Sequence, residues 1–411
     1  MGLHRFKPMP SGRMGIFWTL SGIKDAAVVE YGCMGHNLYG SGLLRQTGTF
    51  EGKGASIYTT YIDETDIAMG DGHRLEDTIR QVIASEHPQV ILLQPSAVPE
   101  VVGTDLVAIA NVMQEEFDVP LVPIGHGSFA ISQHKGVQDA LCDLVSKLTI
   151  DCEPGAKPLF NIVGSCPDLF HFGEDMLELK RMMKGAFGME SRCVLSSDCT
   201  VEDIRRMGEA QINLVFRREG IPAAEWLKKK FGTPYVYGRP YGIQGTTDWL
   251  RQVGEAMGRE PDAAFIEAEE SLLRLQIERP WRTLKNNHWS YPDEAVISLG
   301  GHADVVAGIL KFAMEEIPMD KGDVWCDCPE HATAEIPYLD ENGWMPIVKN
   351  HKKGYLMASG EQLLWAGKNT SLQIANPDIG YRVHPYGAPF VGYHGAAELI
   401  NLWVNEYVLT H

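Results

Sequence analysis

The chain lacks the paired cysteine spacing of a self-contained metal site. Its 411 residues contain no Cys-x-x-Cys, the spacing that many zinc and ferredoxin-type sites use. Eight cysteines in so long a chain do not form a disulfide framework, and a reducing cytoplasm would keep them as thiols. A cysteine of this chain that binds a metal must therefore share it with ligands from distant parts of the sequence or from another chain. The cysteines are Cys33, Cys142, Cys152, Cys166, Cys193, Cys199, Cys326 and Cys328.

The standard nucleotide-binding loops are also missing. No Gly-x-x-x-x-Gly-Lys-Ser/Thr occurs, and Gly367-Lys368-Asn369 lacks both the hydroxyl and the upstream glycine. No strand-like run leads into Gly-x-Gly-x-x-Gly, and no nucleophile elbow supports a Ser-His-Asp hydrolase. We therefore predict that this chain binds neither ATP nor a dinucleotide through these loops.

Positive charge is scarce. The 36 Lys and Arg are outnumbered by 54 Asp and Glu, and the formal charge is −18, whereas nucleic acids and anionic membranes are bound by clustered Lys and Arg. No apolar run approaches the roughly 20 residues that span a bilayer, and the first residues lack the apolar region of a secretory signal. We predict a cytoplasmic protein that binds no nucleic acid and no membrane, although a protein partner with a basic surface fits this charge.

Short apolar runs alternate with stretches of helical spacing along the whole chain. This pattern predicts an α/β fold with mostly parallel sheets flanked by helices. It lapses over residues 151–158 and becomes mostly helical over 252–293. We therefore predict an N-terminal domain over 1–150, a middle domain over 158–250, and a helical connection with a C-terminal domain over 251–411. The predicted strands lie near 26–30, 55–61, 90–94, 120–124, 159–163, 193–195, 211–216, 234–237, 295–299, 323–326, 355–357 and 372–375. The predicted helices include 75–85, 105–116, 175–184, one opened by Thr200, and 396–408.

A glycine-rich turn follows the first predicted strand and contains Gly32, Cys33, Gly35 and His36. Ligands of open α/β sheets bind outside the carboxyl ends of the strands, and the two glycines allow a sharp turn close to a bulky ligand. The turn therefore offers a thiolate and an imidazole as candidate ligands. The alternative is that Cys33 packs as a small hydrophobic residue and that His36 is a surface imidazole.

Several segments, in order along the chain, resemble the component 1 family of nitrogenases and nitrogenase-like reductases, especially its beta-type subunits. Residues 10–36 resemble the N-terminal cluster-binding segment, and residues 93–106, which include Ala97, resemble the third cluster-binding loop. The other matching segments are 70–75, 161–164, 177–183, 231–235, 242–248 and 391–397.

The resemblance implies three Rossmann-like domains, each with a mostly parallel sheet. It also implies a heterotetramer of alpha-type and beta-type subunits, with an iron–sulfur cluster at each alpha/beta interface. Electrons would come from a separate ATP-hydrolysing iron protein, so that ATP binds only to that partner.

Departures from the family pattern limit the type of cluster that we expect. The first of the three cysteine positions of the nitrogenase beta subunit falls near Ser11 and Gly12, and the third falls on Ala97. Cys33 lies three residues before the usual second position, which His36 occupies. This pattern resembles members of the family in which the alpha-type chain gives three cysteines and the beta-type chain gives one ligand. The resemblance therefore implies one four-iron cluster rather than an eight-iron cluster, bound by Cys33 and three cysteines of the partner. His36 is the alternative ligand, although thiolate is the softer and more usual one.

The sequence leaves open whether a second metallocofactor is bound. The position of the alpha-type cofactor cysteine corresponds to the strand end that contains Arg217, and His384 lies near the position of the cofactor histidine. The leading hypothesis is a reductase subunit that relays electrons to a tetrapyrrole, an alkyl thioether or a similar substrate. The alternatives are a non-catalytic scaffold for metallocofactor assembly and a bilobal protein that binds a small molecule.

Overall fold

The computed structural model of the chain describes residues 10–33, 35, 54–69, 72–125, 131–366, 371–376 and 388–410. Within these residues the fold is α/β, as predicted. The strands are β1 Ala26–Tyr31, β2 Ser56–Thr59, β3 Val90–Pro95, β4 Leu121–Pro123, β5 Leu159–Ser165, β6 Glu190–Ser196, β7 Ile212–Val215, β8 Tyr235–Tyr237, β9 Val296–Gly301, β10 Asp320–Cys326, β11 Tyr355–Ser359 and β12 Ser371–Ala375.

Helices follow most of the strands, which is the arrangement that the alternating sequence pattern predicts. The helices are α1 Gly12–Ser21, α2 Glu64–Met69, α3 His73–Glu86, α4 Ala97–Val101, α5 Leu106–Met113, α6 Gln133–Leu148, α7 Phe172–Phe187, α8 Val201–Arg205, α9 Ile221–Phe231, α10 Ile243–Met257, α11 Ala263–Ser290, α12 Ala303–Glu315, α13 Glu341–Asn350, α14 Gly360–Leu363 and α15 Gly392–Thr410. None of these helices has the length and apolar character needed to cross a membrane.

The strands form three sheets of four strands each, in the described part of the chain. The first sheet has the order β2-β1-β3-β4, the second β6-β5-β7-β8, and the third β10-β9-β11-β12. Paired strands run parallel in all three sheets. The predicted fold class, three mostly parallel sheets flanked by helices, is therefore confirmed.

The described residues fold into two compact units. The first, the two-sheet unit, comprises the described residues of Pro8–Asp168 and Ser191–Tyr237 and holds the first and second sheets. The second, the one-sheet unit, comprises those of Leu169–Glu190 and Gly238–His411 and holds the third sheet. The predicted domain ranges 1–150, 158–250 and 251–411 stay a prediction.

Helix α1 is buried along its whole length in the two-sheet unit. It packs on α6 because glycines bring the two backbones together. A Cβ atom at Gly15 would lie 2.0 Å from the carbonyl oxygen of Gln133, and one at Gly136 would lie 1.9 Å from that of Gly12. A Cβ at Gly12 would also lie 2.2 Å from Cγ1 of Ile131. This packing fixes the start of α1 next to the first sheet.

In the one-sheet unit, the segment just before α15 packs against α7. Asp175, on α7, is fully buried; it pairs with Arg239 at 2.7 Å and accepts the N–H of Phe390 at 2.8 Å. His171 stacks on the ring of Phe390 with 4.3 Å between ring centroids. These contacts join the last helix to α7 within this unit.

Candidate functional site

The candidate site lies at the carboxyl ends of β1 and β3, which are neighbours in the first sheet. Glu30 pairs in register with Gln94, and Tyr31 pairs with Pro95. The N–H of Ser96 donates to the carbonyl oxygen of Tyr31 at 2.9 Å. The sheet therefore brings together the Cys33 turn and the loop that leads to Ala97, as the sequence predicts for parallel strands.

The turn before Cys33 is held by hydrogen bonds to Gly32. The Gly32 N–H donates to Oγ1 of Thr60 at 3.0 Å, and the Gly32 carbonyl accepts from Oγ1 of Thr59 at 3.0 Å. The N–H of Ile62 donates to the same carbonyl at 3.1 Å. These bonds fix the backbone on the residue immediately before the thiol.

Crowding explains Gly32 better than turn geometry does. Gly32 does not have a positive φ, so its backbone angles alone do not require a glycine. A Cβ atom at Gly32 would lie 2.3 Å from Oγ of Ser96, whereas a Cβ at Gly35 would meet no described atom within 4 Å. Gly32 is needed so that Ser96 can lie against the turn.

We expect Gly32→Ala to damage the site more than the fold. The added methyl group must displace Ser96 or the Cys33 turn, at a cost of about 1–3 kcal/mol for overpacking. With the predicted cluster bound at Cys33, the variant should retain several-fold less iron than the wild type after anaerobic purification. Gly72→Ala is the matched control, because a Cβ there meets no described atom within 4 Å. Equal iron in Gly32→Ala and the control would contradict this expectation.

Cys33 is a free, half-buried thiol. It packs at the margin of an apolar cluster that includes Tyr31 and Leu93, so the packing alternative for this cysteine is met in part. The rest of its surface is exposed beyond the strand end. The other predicted ligand, His36, lies outside the described residues.

Ala97 and the start of α1 offer no thiolate. Ala97 is the first residue of α4 and is buried, and Gly12 is buried against Ile131. Ser11 is half-buried and precedes α1. Among the described residues at the three expected ligand positions, Cys33 therefore supplies the one thiolate. This donor set fits a cluster whose remaining ligands come from a partner and does not fit three thiolates from this chain.

Four buried polar side chains surround the strand ends. The sequence reasoning placed the loop of Gln94 and Ser96 at this edge but missed the pairing of Arg13 with Glu30. Arg13 of α1 forms a buried ion pair with Glu30 of β1. Nε2 of Gln94 donates to the carbonyl oxygen of Arg13 at 2.8 Å, and Ser96 follows on the same loop. The available signal was Glu30 itself, since a carboxylate in an otherwise apolar central strand needs a buried partner.

These polar groups are not all satisfied. In the part of the chain that the structure describes, Oε2 of Glu30, Oε1 of Gln94 and Oγ of Ser96 have no hydrogen-bond partner. All three residues have 0% exposure. Because buried polar atoms in native proteins are nearly always paired, this end of the sheet has hydrogen-bonding capacity left for water or a bound group.

The remaining cysteines have different surroundings. Cys166 lies between the hydroxyls of Thr19 and Ser196, at 3.9 and 3.6 Å, and burial raises the pKa of its thiol to about 11. Sγ of Cys328 donates to the carboxylate of Glu330 at 2.8 Å, and Cys326 is buried beside it. Packing and local hydrogen bonds therefore account for these three thiols.

Arg217 occupies the carboxyl end of β7 in the second sheet. Its buried guanidinium pairs with Asp168 at 2.7 Å and with Glu219 at 2.9 Å. Its side chain lies over Gly164, where a Cβ would be 2.7 Å from Cγ of Arg217. The end of β7, which corresponds to the position of the alpha-type cofactor cysteine, thus holds a cluster of internal ion pairs. His384 lies outside the described residues.

The comparisons with known proteins agree with the resemblance. The profile of the family described as nitrogenase component 1 type oxidoreductase matches residues 11–315. A subunit of the light-independent protochlorophyllide reductase of Nostoc punctiforme is 25% identical, over 96% of this chain and 82% of its own length. The nitrogenase iron-molybdenum cofactor biosynthesis protein NifE of Klebsiella pneumoniae is 29% identical, over 64% of this chain and 60% of its own length.

One solved structure extends the comparison to the fold. The chain described as nitrogenase Cp1 at pH 6.5 superposes with a TM-score of 0.78 and 18% identity. The match covers 100% of this chain and 95% of the other. At this identity the likeness concerns the fold, and it supports the three-sheet architecture.

Proposed function

This chain belongs to the nitrogenase component 1 type oxidoreductase family, and we propose that it is the beta-type subunit of a nitrogenase-like reductase. In this proposal Cys33 binds an iron–sulfur cluster that is shared with an alpha-type partner. The observation that carries it is the half-buried Cys33 thiol at the end of the central strand β1. Ala97 at the neighbouring strand end supplies no second thiolate, which favours a four-iron over an eight-iron cluster.

The proposed partners follow from what this chain does not provide. An alpha-type subunit would contribute the other three cysteines, and two such pairs would form a heterotetramer. An ATP-hydrolysing iron protein would supply electrons, consistent with the missing nucleotide-binding loops. The substrate would be a tetrapyrrole, an alkyl thioether or a similar reducible molecule. The complex would be located in the cytoplasm. The name of the Nostoc relative, which is that of a reductase component, supports a reductase.

The residues of this chain would act mainly by ligation and by control of the surroundings. A bound iron–sulfur cluster would supply one-electron transfer at low potential. Cys33 would hold one iron, and the hydrogen bonds of Gly32 to Thr59, Thr60 and Ile62 would fix the thiolate. The buried groups at the ends of β1 and β3 would set the polarity next to it, because such surroundings tune a metal site.

A scaffold for metallocofactor assembly is the second candidate. The observation that favours it is the NifE relative, whose name states a role in cofactor biosynthesis. A scaffold would use the same Cys33 ligation but would not turn over a reducible substrate.

Two measurements test the proposals. Anaerobic co-purification with the alpha-type partner, followed by iron and sulfide analysis, should give a coloured complex that contains both elements. Reduction of a test substrate with the iron protein and ATP should then distinguish the reductase from the scaffold. A colourless, iron-free complex would eliminate both and would leave the bilobal small-molecule binding protein.

A further inference from the structure

Helix α11 presents an apolar surface that the described residues do not cover. The helix packs on α15 and α7, and its buried side chains are Leu273, Ile277, Leu284 and His288. Leu272, Leu275 and Trp289 are instead 49%, 76% and 85% exposed. At about 3.6 residues per turn, these three side chains fall on the side of the helix away from the buried ones. Exposed apolar side chains that share one side of a helix indicate a contact with another protein.

The charges of α11 change sign along the helix. The acidic residues of its first part, including the N-cap, are Asp262, Glu267, Glu269 and Glu270, with no basic residue among them. The charged residues of its second part are Arg274, Glu278, Arg279, Arg282 and Lys285. Glu269 is paired with Arg181 of the same unit at 2.6 Å, whereas Glu267 is exposed. This polarity favours a second copy of the helix that runs antiparallel to the first, because the acidic part of each then faces the basic part of the other.

We propose that α11 contacts the α11 of a second copy of this chain and so joins two alpha/beta pairs. This inference rests on the proposed function, which includes a heterotetramer but does not say which surface forms it. A contact between identical surfaces has a two-fold axis, across which residue i meets residue j and j meets i. With Leu275 on this axis, Glu267 lies eight positions before it and Arg282 seven positions after it. Antiparallel copies therefore bring the Glu267 of each chain to the Arg282 of the other.

The test is the mass of the anaerobically purified complex with its alpha-type partner, measured by analytical ultracentrifugation. Leu275→Glu should convert a complex of two pairs into single alpha/beta pairs that keep their iron. Because the substitution is present twice at a two-fold contact, the dissociation constant between pairs should rise about a hundredfold, at roughly tenfold for each position. Met314→Glu is the matched control, since Met314 is 47% exposed on α12 of the same unit, and it should leave the mass unchanged.

An exchange of charges tests the antiparallel register. Glu267→Lys and Arg282→Glu should each weaken the association of pairs by about tenfold at low ionic strength, because like charges then face each other across the axis. The double variant Glu267→Lys/Arg282→Glu should restore the association, because opposite charges meet again. Both residues are exposed, and the exposed pair of Arg282 with Glu278 on its own helix contributes little to stability. All three variants should therefore keep the wild-type circular dichroism.

The outcomes separate this inference from the proposed function. An iron-free wild-type complex of two pairs would overturn the proposed cluster and leave the contact. Iron-containing single pairs in the wild type, or a Leu275→Glu complex that still contains two pairs, would overturn the contact alone. Loss of the alpha-type partner from Leu275→Glu would show that α11 faces that subunit and would also overturn it. A charge-exchanged double variant no better associated than the single variants would reject the antiparallel pairing.

Discussion

Cys33→Ala is expected to lose the cluster while the fold is retained. Replacing a residue that only supports a metal ligand costs about 10–100-fold in metal affinity. Loss of the ligand itself, the one thiolate that this chain offers at the site, should therefore lower the iron per complex by more than tenfold. The visible absorption of the cluster should fall in parallel. Circular dichroism should stay unchanged, because Cys33 lies at the margin of its apolar cluster, beyond the end of β1.

Two cysteines provide controls for this experiment. Cys152 is also half-buried and free, and it lies in the same two-sheet unit, so Cys152→Ala should keep full iron. Cys326→Ala, at a buried thiol in the third sheet, should do the same. If Cys33→Ala keeps its iron and His36→Ala loses it, the ligand is the histidine and the assignment of Cys33 is wrong.

Arg13→Met should be strongly destabilising. The change leaves the Glu30 carboxylate, which has 0% exposure, without the guanidinium that neutralises it. Breaking a buried ion pair from one side costs about 3–5 kcal/mol, whereas replacing both partners by uncharged groups is often close to neutral. The double variant Arg13→Met/Glu30→Gln should therefore recover most of the lost stability.

Denaturant unfolding followed by tryptophan fluorescence measures this effect, with buried Trp18 on α1 as a nearby reporter. Arg74→Met is the control, because Arg74 pairs with Asp63 at the surface of the same unit, and its unfolding midpoint should barely move. A double variant no more stable than Arg13→Met would contradict the ion-pair explanation.

The sequence predicted the sheets well because buried parallel strands are short apolar runs. The strand predicted at 26–30 is β1 Ala26–Tyr31, and the helix predicted at 75–85 is α3 His73–Glu86. The helix opened by Thr200 is present with its capping box, in which the Thr200 side chain accepts from the N–H of Asp203 and Asp203 accepts from that of Thr200. Local signals of this kind can be identified without tertiary information.

Three features of the site could not be predicted in this way. Helix α1 is buried on every side and contains two glycines, so it has no amphipathic period that would identify it. The Arg13–Glu30 pair joins residues 17 positions apart on different elements, and the position of Ser96 against Gly32 depends on the register of β1 with β3. Such relations arise only once the sheet has formed.

The close packing at the start of α1 limits how this chain could be re-engineered. A designer who wished to restore the first cysteine of an eight-iron centre would naturally choose Gly12→Cys. The new side chain would collide with Ile131, whose Cγ1 lies 2.2 Å from where its Cβ must go. Such a graft would have to be combined with a smaller residue at 131, so a single substitution at Gly12 does not supply a second thiolate.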